Sequence, residues 1–177
     1  MDEVTAKLKE GKSSPPQASF QRLLSLAGPE VDQTVALACQ SERRETRIAA
    51  AMLCQQRLYG RPVLEALIAL LKDKDQQVRA VALRALGFAA HWQSPEACEA
   101  LCALAKDTTR ADGDRVNAAG QAGTTVPLQL FCVNHDTQIF DTLTELLSDK
   151  NPQLKMVAKL GLDGKLIPDV QGFKVKP

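Results

Sequence analysis

Apolar and polar positions alternate in blocks along this chain, and the clearest block begins at Pro62. Val63, Leu64, Leu67, Ile68, Leu70 and Leu71 form a broad apolar face at helical spacing, which the polar run Lys72–Gln77 interrupts. Val78, Val81, Ala82, Ala85, Leu86 and Ala89 then resume at intervals of three and four, which places them on one side of a second helix. The pattern predicts a helical hairpin with a tight charged turn. Pro62 suits the first turn of the first helix, and the small alanines of the second allow close approach of neighbours.

The same block recurs. Shifted by 76 residues, "LLKDKDQQVRAVA" meets "LLSDKNPQLKMVA", so that Asp73 falls on Asp149, Val78 on Leu154, Arg79 on Lys155 and Ala82 on Ala158. A shift of −32 sets Arg79 on Arg47 and Ala82 on Ala50, with Ser41 in place of the turn aspartate. A further copy, with two extra residues in its turn, supplies Leu104, Asp107, Arg115 and Ala118. Four hairpins are therefore expected, over 29–60, 62–92, 95–123 and 138–164.

Boundary signals refine this division. Ser94 before Pro95 reads as an N-cap, with Glu96 in the first turn and a helix to Lys106; Thr137–Ser148 reads as the corresponding helix of the last copy. The segment 1–28 should form an N-terminal cap helix closed by Gly28. In "GQAGTTVPLQLFCVNHD" the glycines and Pro127 oppose helix, so the third copy's second helix is expected to be short and 124–137 to be an irregular connector. Residues 165–177 read as an extended tail that covers the last open face.

The turn aspartates (Asp73, Asp107, Asp149), the Val78-Arg79 or Leu154-Lys155 that opens each second helix, and the following Ala and Leu resemble the HEAT repeat family, in particular its short bacterial forms. The resemblance extends over about residues 29–164. It implies an all-α fold: a single right-handed α-solenoid of about four hairpins, whose second helices line a concave surface. It also implies that each repeating cation, Arg47, Arg79, Arg115 or Lys155, pairs with the turn aspartate of its own or an adjacent copy and orders the stack.

Composition agrees with an all-α chain. Apolar residues make up 45% and aromatics only 4%, a balance set by Leu and Ala rather than by the β-branched and aromatic residues of sheets. At 177 residues, a core can form without disulfides or metal. Asp2 and Glu3 follow Met1 and no apolar segment is long enough to span a membrane, so a cytoplasmic protein is expected. Five cysteines (Cys39, Cys54, Cys98, Cys102, Cys132) lie in or beside helical patterns and read as reduced, buried thiols.

The net charge of +1 is unevenly spread: residues 41–61 sum to +3, 93–148 to −5 and 149–177 to +3. The acidic segment interrupts any basic stripe, which disfavours nucleic acid as a partner.

The motifs that could carry chemistry are weak. Cys98, Cys102, Cys132 and His135 could in principle make a tetrahedral zinc site, but two cysteines four apart on an amphipathic helix serve more often as small apolar residues, and neither metal nor cofactor is expected. Cys132, His135 and Asp136 could supply nucleophile, base and orienting carboxylate, although their acidic, apolar-flanked segment suits a packed connector better. Among enzymes of HEAT architecture, the iron-dependent hydroxylases use His-Glu pairs that this chain lacks, and the acidic segment argues against alkyl-base DNA glycosylases. Bilin lyases share short HEAT-like repeats and remain the alternative reading, with no residue here to support them.

The favoured reading is a non-enzymatic scaffold or adaptor, monomeric or weakly self-associating, that binds a protein partner. On the expected second helices, Ile48, Met52, Arg84 and Phe88 form a patch of apolar and cationic character, and Tyr59 and Trp92 at the hairpin ends add aromatic contact area.

Overall fold

A computed structural model of the chain describes residues 28–56, 59–92, 94–126, 137–169 and 172–176. The expected cap helix in 1–27 and most of the connector, 127–136, lie outside the described residues, as do Cys132, His135 and Asp136.

Eight helices and one β-hairpin follow one another among these residues: α1 Pro29–Cys39, α2 Arg44–Leu53, α3 Arg61–Leu70, α4 Gln76–His91, α5 Pro95–Lys106, α6 Asp112–Gly123, α7 Gln138–Leu146, α8 Pro152–Leu162, β1 Leu166–Asp169 and β2 Gly172–Val175. The helices pack in neighbouring pairs, as in a helical-repeat protein. The chain divides into two compact units at Ala85/Leu86, within α4.

In the first unit, α1 packs on α2 and α3. Its core is built from Val35, Cys39, Ala50, Leu53, Val63, Leu67, Val78 and Ala82, all nearly sealed from solvent. Asp32 of α1 accepts a hydrogen bond from the Gly60 N–H at 2.7 Å, which ties the first helix to the start of the third. Arg44 at the start of α2 donates to Asp75 and Gln77 at the start of α4, so the second helices of successive pairs are neighbours as well.

In the second unit, α5 packs on α6 and α7, while α8 packs on α6 and α7. The Ser94 hydroxyl accepts from the Ala97 N–H at the head of α5, as the sequence predicts, and Asn151 accepts from Gln153 and Leu154 at the head of α8. At the end of α8, Gly164 adopts φ 64°, and the Lys165 N–H returns to the Leu160 carbonyl. This C-terminal glycine closure turns the chain directly into β1.

Helix α6 departs from the sequence expectation. It does not break after Ala119 but continues to Gly123, as long as α5. The glycines are accommodated because other elements lie where side chains would stand: a Cβ on Gly120 would meet the Phe173 ring, and one on Gly123 would meet Leu166 and the Gly161 backbone. Tertiary packing offsets the intrinsic cost of about 1 kcal/mol for each helical glycine.

The tail is extended, as expected, and also pairs with itself. β1 and β2 run antiparallel with Leu166 opposite Val175, Ile167 opposite Lys174 and Pro168 opposite Phe173. Leu166 is fully buried against the helices of the second unit.

Candidate functional site

The repeating cations sit at the inner end of each turn. In the first unit, Arg47 donates from Nε to Asp73 Oδ2 at 2.7 Å and from Nη2 to Asp73 Oδ1 at 3.2 Å, while Nη1 binds the Ser41 and Glu42 carbonyls. Both side chains are only 10% exposed. In the second unit, Arg115 repeats the arrangement: Nη2 meets Asp149 Oδ2 at 2.5 Å and Nε binds the Ala105 carbonyl. Arg79 likewise donates to the carbonyls of its own turn, at Asp73 and Lys74. Lys155, whose position corresponds to these arginines, is exposed, and its charge acts on Asp149.

The aspartates also organise their own turns. Asp73 Oδ1 accepts from the Asp75 N–H, Asp107 Oδ1 from the Thr109 N–H and Asp149 Oδ1 from the Asn151 N–H, each two residues on. These contacts set their acidity. Burial alone raises the Asp73 carboxyl, but the Asp75 N–H and the Arg47 guanidinium outweigh it and hold it below the ordinary value. The Asn151 N–H, then Arg115, hold Asp149 down; for Asp107 the Thr109 hydroxyl leads.

An open depression of about 630 Å³ in the first unit is lined by Cys39, Leu70, Arg47 and Asp73, among others. Its Arg47 and Asp73 are already bonded to one another and to the turn. Among the described residues no cluster of three or more His, Cys, Asp or Glu could hold a metal ion. Cys39, Cys54, Cys98 and Cys102 are buried and form no disulfide among the described residues. No helix of the described residues is long and apolar enough to cross a membrane.

Of the residues expected to meet a partner, Met52 and Trp92 are exposed and the others are half-buried. On α2, Met52 is 49% exposed and Ile48 half-buried, and Arg44 is exposed one turn earlier. On α4, Arg84 is half-buried, and its buried Nε has no hydrogen-bond partner among the described residues. Tyr59 is half-buried at the end of the first pair. In the second unit, Phe88 and Trp92 stand with ring centroids 6.3 Å apart, and His91 meets Trp92 edge-on at the same separation. Trp92 is 60% exposed, while burial lowers the His91 pKa.

Position 52 corresponds to 84, 120 and 160 in the other copies. At 120 the residue is glycine, and the ring of Phe173 lies on it. The chain therefore covers this face of α6 with its own C-terminal hairpin.

Residues 31–122, more than half of the chain, match the family profile described as HEAT repeats. The chain belongs to the HEAT repeat family. None of the curated proteins compared with it matches. As a HEAT-repeat chain, it keeps the Arg–Asp contact between successive copies wherever both partners are present in one unit, at Arg47–Asp73 and Arg115–Asp149.

Several residues of these HEAT repeats escape a search by period. Arg44, which binds Asp75 and Gln77, aligns with Gln76, Asp112 and Pro152, so it leaves no recurring signal. Asp32 and Phe173 are likewise single occurrences whose partners, Gly60 and Gly120, are distant in sequence.

Proposed function

We propose that this HEAT-repeat chain is a non-catalytic binding module that holds an acidic segment of a partner protein against the second helices of its first unit. Ile48 and Met52 supply apolar contact, Arg84 supplies charge, and Tyr59 extends the surface at the end of the first pair. The observation that carries this reading is that Met52 is exposed while Arg84, at the corresponding position of the next copy, has no hydrogen-bond partner for its Nε among the described residues. The half-buried guanidinium of Arg84 would gain a charge-assisted hydrogen bond from an incoming carboxylate. The +3 charge of residues 41–61 favours the same acidic ligand. Phe88 and Trp92 provide a separate aromatic contact surface in the second unit. The buried thiols suit a reducing, cytoplasmic setting.

The test compares wild type with Met52→Asp/Arg84→Glu in affinity capture from the native cell. A protein retained by the wild type and lost by the double variant, with an unchanged melting temperature, supports the reading. Equal retention by both overturns it.

A further inference from the structure

The C-terminal hairpin has one edge equipped for pairing. The Lys176 N–H donates to the Lys165 carbonyl at 2.7 Å, which makes 165 and 176 a hydrogen-bonded pair. Pairs alternate along an antiparallel ladder, so Ile167–Lys174 and Asp169–Gly172 are bonded pairs, and Leu166–Val175 and Pro168–Phe173 are not. The backbone N–H and C=O of Phe173 and Val175 consequently point away from β1. No other described backbone group pairs with them. The opposite edge, along β1, lacks a donor at Pro168 and is blunted in the usual way.

The surroundings of this edge select its occupant. The register puts Leu166, Phe173 and Val175 on the face that meets the helices, where Leu166 is buried and Phe173 lies on Gly120. Lys165, Lys174 and Lys176 fall on the other face, and all three are exposed. Val175 remains 50% exposed at the open end. An extended strand added here would gain two outward N–H donors and two acceptors, an apolar contact at Val175, and the cations Lys174 and Lys176 beside its alternate side chains.

We infer that the β2 edge, Gly172–Val175, is a docking site for an extended acidic peptide of a partner protein, bound by strand addition. It is separate from the face carrying Met52 and Arg84.

A short capped peptide of alternating valine and glutamate serves as the probe, with the valine–lysine peptide as its counterpart. Fluorescence anisotropy should show binding of the acidic peptide that weakens with salt, and NMR hydrogen exchange should show new protection at the Phe173 and Val175 amides. Val175→Pro deletes an outward donor without touching the ladder, and should weaken binding about tenfold with unchanged helical circular dichroism. Lys174→Gln/Lys176→Gln, which leaves the backbone intact, should weaken it and flatten the salt dependence. Met52→Asp/Arg84→Glu should bind the probe like wild type, so this site stands or falls apart from the other. Absence of binding, equal affinity for the lysine peptide, or wild-type affinity in Val175→Pro would overturn the inference.

Discussion

Arg47 and Asp73, 26 residues apart, meet through two hydrogen bonds at a site where each side chain is 10% exposed. The guanidinium belongs to the second helix of one pair and the carboxylate to the turn of the next. Its remaining donor, Nη1, closes the turn of its own pair at Ser41 and Glu42. One side chain thus fixes both a turn and the register of the following copy, and Arg115 does the same with Ala105 and Asp149.

Removal of one partner should therefore be costly. Arg47→Ala leaves the Asp73 carboxylate without its charge partner, held only by the Asp75 N–H, and removes the donor to two turn carbonyls; it is expected to lower unfolding free energy by about 3 kcal/mol. Replacement of both partners by apolar residues, Arg47→Met with Asp73→Leu, should recover part of the loss, because no buried charge is left alone. Urea denaturation of the two single variants and the double variant checks both statements.

Acid should weaken the same contacts. Asp73 and Asp149 titrate below their ordinary value of 3.8 in the folded chain. A depressed folded pKa contributes stability that is present above the unfolded value and is lost as pH falls through the folded one. Stability should thus decline below pH about 4. Asp149→Asn removes the titrating group while its amide oxygen can still accept from Asn151 and Arg115, so the variant should show a flatter decline. Urea midpoints measured across the acid range for both proteins test the difference; parallel curves would count against it.

Gly120 and Phe173 should be energetically coupled. Gly120→Ala places a methyl group where the aromatic ring lies, which displaces the hairpin and uncovers Leu166. The expected loss is about 1–3 kcal/mol, the usual range for overpacking. In a Phe173→Ala background the obstacle is gone, and Gly120→Ala should cost nothing or stabilise α6 by removing a helical glycine. A double-mutant cycle on thermal unfolding reads the coupling directly; additive effects would show that the hairpin does not rest on α6 in solution.

The thiols offer a further measurement. Cys39, Cys54, Cys98 and Cys102 are each at most 3% exposed. Reaction of these four with a thiol reagent should be slow in the native protein and complete in denaturant. Fast modification of any of them, located by peptide mapping, would place that helix in a less protected state.

The hairpin pattern, the cap at Ser94, and the recurrence of Arg47 and Arg115 with the turn aspartates were legible because each is local or periodic. Helical spacing declares itself within a dozen residues, and a contact between successive copies must recur at the repeat length. The residues proposed to face a partner follow from the sequence only as the complement of the expected core: Met52 and Trp92 are exposed, while Ile48, Arg84, Phe88 and Tyr59 are half-buried.

The persistence of α6 through Gly120 and Gly123 depends instead on what packs against it. Intrinsic propensity argues for a break, but Phe173, Leu166 and Gly161 need the space that side chains would fill, and that need arises some forty to fifty residues further along the chain. The open β2 edge is similarly a product of register, since which amides of the tail face outward follows from the pairing of 165 with 176. Periodicity and capping chemistry dictated the helical pairs and their ladder. Close approach between elements without a common period, Asp32 with Gly60, Arg44 with Asp75 and Gly120 with Phe173, was settled by three-dimensional packing alone.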